Sequence, residues 1–232
     1  MLLPRPEAPC QRKVAPDPAD LKFMIDQFWM LAALMLLPLL LRAVTPRIKG
    51  AMGERRVAAR LRRGLPPEDY LILHDLTLPT ARGTTQIDHI VIGPSGVFVI
   101  ETKTMAGRIF GRADDTWWTQ ALPRRKSRFL NPLRQNAGHV RAVRDILTLE
   151  TAHMHGVIVC AGNGRPGVRM PADVLWRPRD LPRYIRSCPA GVIAPDAIPD
   201  LAARLAAAAL PRTRQTRRMH IRHVRRQMAR LR

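Results

Sequence analysis

The sequence predicts an α/β domain preceded by one transmembrane helix. An amphipathic helix over 53–62 is followed by β-like runs within 70–103. A second helix then opens at Asn131-Pro132, and the apolar strand Gly156-Val-Ile-Val-Cys160 comes after it. Upstream of all of these, 28–41 is an unbroken apolar run.

Length and charge bound the possibilities. A chain of 232 residues can hold one sizeable core plus appendages. Its 39 Lys and Arg against 18 Asp and Glu give a formal net charge of +21, which favours a polyanion partner, either nucleic acid or an anionic membrane surface. Cys10, Cys160 and Cys188 are odd in number and far apart, so neither a disulfide framework nor a zinc knuckle is supported. A reducing, cytosolic setting follows for the main domain.

Taken in order, residues 1–22 are Pro-rich and mixed in charge, and read as a disordered leader. The apolar stretch extends back to Phe23, interrupted by Asp26 and Gln27, and approaches the ~20 residues of a spanning helix. A buried core helix is disfavoured because apolar residues cover every face. A cleaved signal peptide lacks convincing small residues at a cleavage site. Residues 23–44 are therefore expected to be a membrane anchor, with Pro38 tolerated inside it. Arg42, Arg47, Lys49, Arg55, Arg56 and Arg60 follow this segment, against Arg5, Arg12, Lys13 and Lys22 before it. That excess places the C-terminal domain on the cytoplasmic side of the cell membrane, in a single-pass topology.

In the helix over 53–62, Glu54, Val57, Ala58 and Leu61 share one stripe at three-to-four spacing. Glu54 is either a core-facing acid or an ordinary acid favoured near a helix N-terminus. Gly64-Leu-Pro-Pro ends the helix, and 70–78 resembles a strand. The stretch Gln86-Ile-Asp-His-Ile-Val-Ile-Gly-Pro-Ser-Gly-Val-Phe-Val-Ile-Glu-Thr-Lys103 then reads as a hairpin. With its turn at Gly93-Pro94-Ser95-Gly96, Ile92 pairs with Val97, Glu101 stands opposite Asp88 and Lys103 opposite Gln86. These four polar residues share a face, while Ile87, Val91, Phe98 and Ile100 share the other with His89. Further on, short strands are expected near 107–111 and 117–120, and a helix over 131–147 with Gln135 and His139 one turn apart. A Pro- and Arg-rich irregular stretch precedes an Ala-rich helix over 200–210. The tail, 211–232, has nine arginines and no acid. Its apolar residues lie at helical spacing, which suits a nucleic-acid arm, a membrane-surface helix or a solvated tail.

Carboxylates directly opposite each other repel, and ordinary sheets avoid the pairing. Their Cβ atoms lie roughly 5 Å apart, a separation that suits two acids sharing a divalent cation. The bland alternative is a half-exposed hairpin with Lys103 relieving the charge. Phosphodiester cleavage assisted by Mg²⁺ or Mn²⁺ would use the same parts: acids for the cation, a lysine for developing charge, arginines for the backbone.

Beyond this reading, Gly53-Glu54, Gln86-Ile-Asp-His, Gly96-Val-Phe-Val-Ile-Glu-Thr-Lys, Trp118-Thr-Gln and Asn131-Pro-Leu-Arg-Gln-Asn occur in order over roughly 50–160. This series resembles the nuclease-related domain, NERD, within the PD-(D/E)xK nuclease-like superfamily. The resemblance implies a restriction-endonuclease-like core: helix, antiparallel three-stranded meander, helix, strand. By the same resemblance Asp88 and Glu101 would be metal ligands, with Glu54 the helix acid near the metal. Lys103 would be the catalytic lysine and Gln135 the polar residue of the following helix. Ile87 stands where the superfamily's name-giving proline would be. DNA would be the partner, and 161–210 an extension packing on the core. The competing expectation is a non-catalytic nucleic-acid-binding or membrane-tethering protein that uses its basic surface and tail.

Overall fold

The chain divides into two units, Met1–Arg47 and Ile48–Arg232, in a computed structural model that describes residues 18–81 and 83–229. The expected leader over 1–22 lies outside the described residues as far as position 17. The first element is the helix α1 (Pro18–Gly64). An antiparallel meander follows, made of β1 (Leu71–Thr80), β2 (Gly83–Gly93) and β3 (Gly96–Lys103). A small second sheet is built on β4 (Arg108–Phe110), β5 (Trp117–Leu122) and β6 (Arg125–Leu130). After the helix α2 (Pro132–Leu147), β7 (Met154–Cys160) returns parallel to β3. The two-residue strands β8 (Arg165–Pro166) and β9 (Val174–Leu175) complete the sheets, in the orders β6-β5-β4-β8 and β1-β2-β3-β7-β9. The helices α3 (Leu181–Ser187), α4 (Ala197–Ala208) and α5 (Arg214–Ala229) close the chain.

The expected membrane anchor over 23–44 is not upheld. Among the described residues no helix is long and apolar enough to cross a membrane. The uninterrupted run over 28–41 has 14 residues, and at 1.5 Å per residue it spans about 21 Å, short of a ~30 Å hydrocarbon core. Asp26 and Gln27 cut it on one side and Arg42 on the other. The single-pass topology, the cytoplasmic orientation derived from it and the membrane partner all fall with the span.

The hairpin turn has the pairing that its glycines allow. Ile92 pairs with Val97, and Gly93 with Gly96. Gly96 has φ of +119°, and a Cβ there would lie 2.7 Å from the His153 carbonyl, so a side chain is barred on both counts. Period-two alternation then sorts the apolar side chains. Ile90, Ile92, Val97 and Val99 pack with Val143 and Leu147 of α2 and with Leu201 and Leu205 of α4. Val91, Phe98 and Ile100 face the opposite way, onto Val57 and Leu61 of α1 and Leu181 and Ile185 of α3. Both faces are covered, which is why these strands read as near-continuous apolar runs. Cutting Phe98 to Ala would cost about 3–5 kcal/mol, a large part of a domain's total stability.

Alternation fails at one place. Ile87 packs with the Ile90 and Ile92 cluster rather than with Val91 and Phe98. Between the pairs His74–His89 and Leu76–Ile87 stand Asp75 and Asp88, and Asp75 has φ of 52°. A left-handed residue inside a strand turns the backbone and resets which face the next side chain meets. The second sheet also exceeds expectation, since β6 and β8 come from stretches without clear periodicity. Trp118 fills its core, and its indole N–H donates to the Arg112 carbonyl at 2.9 Å.

Candidate functional site

The open end of the β2–β3 hairpin gathers the polar residues. The β2–β3 ladder stops at His89–Ile100, and beyond it Glu101, Thr102 and Lys103 pair with Ile158, Val159 and Cys160 of β7. Asp88 replaces the missing rung with its side chain, as Oδ2 accepts the Thr102 amide at 2.7 Å. Gln86 leaves Lys103 altogether, pairing with Thr77 across β1 and donating to the Asp75 carboxylate at 2.7 Å. The registers expected for Glu101 opposite Asp88 and for Lys103 opposite Gln86 are therefore not made.

On α2, the Asn131 side chain accepts the Leu133 amide at 2.9 Å and caps the helix, while Pro132 occupies its first turn. This start fixes the helix phase, so that Gln135 and His139 point along the sheet face that carries Glu101. Lys103 Nζ lies 2.6 Å from Glu101 Oε1 and donates to Gln135 Oε1 at 2.9 Å. Gln135 Nε2 donates to the same Glu101 oxygen at 2.8 Å. His139 Nε2 is 3.4 Å from the other oxygen, Oε2, and its Nδ1 meets Thr85 Oγ1 at 2.5 Å. Next to them Asn136, buried, donates to the carbonyls of Val99 and Val157 and ties α2 to β3 and β7.

The two carboxylates are pushed in opposite directions. Burial raises Asp88, the Glu101 charge and then Glu54 add to it, and its pKa reaches about 8 despite the Thr102 amide and Lys103. Burial also works against the Glu101 anion, but Lys103 and His139 outweigh it and hold that acid down near 2. One acid is kept ionised, and its neighbour is poised near neutrality.

Glu54 occupies a different position from the one expected. It is exposed on α1, and its pKa is raised by partial desolvation, then by Asp75, then by Glu101. Among the described residues no group of three or more His, Cys, Asp or Glu side chains is arranged to hold a metal ion. The Glu54, Asp88 and Glu101 centre expected for Mg²⁺ is thus not assembled, and the description of the protein as a metal-dependent nuclease loses that basis. The reason is visible in the bonding: both Glu101 oxygens are taken up by Lys103, Gln135 and His139.

Sequence reasoning brought Asp88, Glu101, Lys103 and Gln135 forward, and the structure groups Glu101, Lys103 and Gln135 by direct contact. It placed His139 one turn from Gln135, facing either a site or the helix surface, and the contact with Glu101 decides for the site. Thr85 gave no signal at all.

Comparison with known proteins adds three findings. The family model of the nuclease-related domain, NERD, matches residues 49–161. An uncharacterized protein of Bacillus anthracis is 41% identical over 124 residues, covering 53% of this chain. The chain spans 58% of that relative's length. No solved structure matches.

Proposed function

The chain belongs to the nuclease-related domain family through residues 49–161, and from that premise we propose that it hydrolyses phosphodiester bonds of nucleic acid at the Asp88, Glu101 and Lys103 site. The observation that carries this reading is the Lys103 ammonium, held 2.6 Å from Glu101 and 2.9 Å from Gln135 at the open end of the sheet. A lysine fixed in this way presents charge without having to reorganise when negative charge develops on a phosphate.

In the proposed reaction a water attacks phosphorus, the bond to the leaving oxygen breaks, and the water's proton passes to a base. Asp88 fits the base, since an acid with a pKa near 8 is a far stronger proton acceptor than an ordinary carboxylate. Lys103 stabilises the phosphate oxygens as charge accumulates. Gln135 and His139 are positioning residues that keep Glu101, and through it Lys103, in one orientation.

The test is cleavage of labelled DNA and RNA by the full chain in EDTA, in Mg²⁺ and in Mn²⁺, beside Glu101→Gln and Lys103→Ala. Loss of about 10²-fold or more in both variants supports the reading. Cleavage undiminished in both overturns it, and the three solutions decide whether a cation takes part.

A further inference from the structure

The basic tail is built into the domain beside the site. Leu210 donates its amide to the Thr77 carbonyl of β1 at 2.8 Å. Arg212 reaches Asp75 at 3.5 Å and donates to the His74 carbonyl. Thr213 then caps α5, as its Oγ1 accepts the Thr216 amide at 3.1 Å. Thr216 is buried, and His220 meets Thr84 Oγ1 of β2 at 3.4 Å. The next residue, Thr85, holds His139 against Glu101. The strand that anchors α5 is therefore also part of the site.

Helix phase decides what the docked helix presents. At about 100° per residue, Arg214, Arg217, Arg218 and Arg222 fall within an arc of about 140°, with Thr216 and His220 on the far side. All four arginines are exposed, and no ion pair among the described residues involves them. Arg214, Arg218 and Arg222 repeat at i, i+4, a spacing at which like charges destabilise a helix. No acid occurs anywhere in 211–232 to offset them. This concentration of cations is relieved by a polyanion laid along the helix.

We propose that the outward face of α5 binds the phosphate backbone of nucleic acid and delivers it to the Asp88, Glu101 and Lys103 site. The inference rests on the phosphodiesterase reading for its direction, though not for the binding itself. A lipid surface fits less well, because Arg214 and Arg218 hold the centre of the outward face, with exposed Ile221 beside them and exposed Val224 only at its edge.

The experiment uses the full chain, with Arg214, Arg217, Arg218 and Arg222 all changed to Ser, and separately all changed to Lys. Anisotropy of a fluorescein-labelled DNA duplex and single strand is titrated at several salt concentrations. The Ser variant is expected to weaken binding about tenfold or more near 0.1 M salt, and to flatten the log–log salt slope by about 3–4. The Lys variant should keep both, which separates charge from folding. Unchanged affinity and slope in the Ser variant overturn the proposal, and so does a loss confined to anionic phosphatidylserine vesicles. Failure here is distinct from failure of the reaction. Cleavage with unaltered KM in the Ser variant leaves the catalytic reading standing and removes this one. Binding lost by the Ser variant, in a chain that never cleaves, does the reverse.

Discussion

The two flanks of the hairpin's open end make opposite use of similar residues. On the β3 flank, α2 brings Gln135 and His139 to Glu101, Lys103 joins them, and both carboxylate oxygens have partners. On the β1–β2 flank the helices reach Thr84 and Thr85 rather than Asp88. There Asp88 relies on the Thr102 amide, Asp75 takes a left-handed conformation, and buried His89 leaves Nε2 without a partner. Burial is common to both flanks; the difference is the supply of cations and donors. Such a supply turns a buried acid into a stable anion, and its absence leaves the acid half-protonated near neutral pH.

The largest effect should come from removing the cation on the well-supplied flank. Lys103→Ala is expected to lower kcat by about 10²–10³-fold. It should also raise the Glu101 pKa, which a pH titration followed by NMR would read. Cleavage at the wild-type rate would show that the two flanks differ in bonding alone.

Asp88→Asn should abolish cleavage while stabilising the fold. The sign follows from proton counting: between about pH 4 and pH 8 the folded state keeps the Asp88 proton and the unfolded state does not. Stability therefore falls with rising pH across that window, and Asn removes the loss. An advantage on the order of 1 kcal/mol per pH unit should build up across that window towards pH 8 and then level off. Calorimetry at pH 4 and pH 8 checks it, and an equal Tm difference at both would contradict the assignment.

His139→Ala should have a smaller effect, about tenfold in kcat with KM little changed, because the residue acts through Glu101. His139→Gln should recover part of the loss if donation to Glu101 is the role. A pH–rate profile unmoved by either variant would remove His139 from the site.

The smallest effect lies on the poorly supplied flank. His89 is pushed down to about 3 from 6.5 by burial and then by His74, with which it shares a 2.8 Å contact between Nδ1 atoms. Below pH 6.5 the unfolded state gains a proton that folded His89 refuses, so stability drops as pH falls towards 3. His89→Leu should flatten that dependence by on the order of 1 kcal/mol per pH unit in urea titrations at pH 6.5 and 5.5. An unchanged slope would place acid sensitivity elsewhere.

Local pattern carried a good deal of this protein. The glycines around Pro94-Ser95 and the alternation after them are enough to pair Ile92 with Val97, but the ladder stops before Asp88 and Glu101, which are near enough for the Glu101 charge to raise Asp88. Asn131-Pro132 is enough to start α2, because capping chemistry is local. Pattern failed where one residue or one distant contact overrode it. Asp75 at φ 52° breaks the alternation at Ile87, and no periodicity shows a left-handed residue in a strand. The apolar run over 28–41 resembled an anchor because hydropathy registers composition more readily than the length between polar breaks.

What the sequence determined by itself is the order helix, meander, helix, strand, the hairpin turn, and the identity of Asp88, Glu101 and Lys103 as residues at its open end. Tertiary structure alone decided which of them have partners. The packing of α2 satisfies Glu101, the β7 strand takes over the ladder from β2, and α5 is bound to the strand that holds His139. The physical reason is range: turns, caps and faces are set within a few residues, whereas the charge state of a buried acid depends on groups brought to it from 30 or more positions away, as Gln135 is brought to Glu101 at a separation of 34.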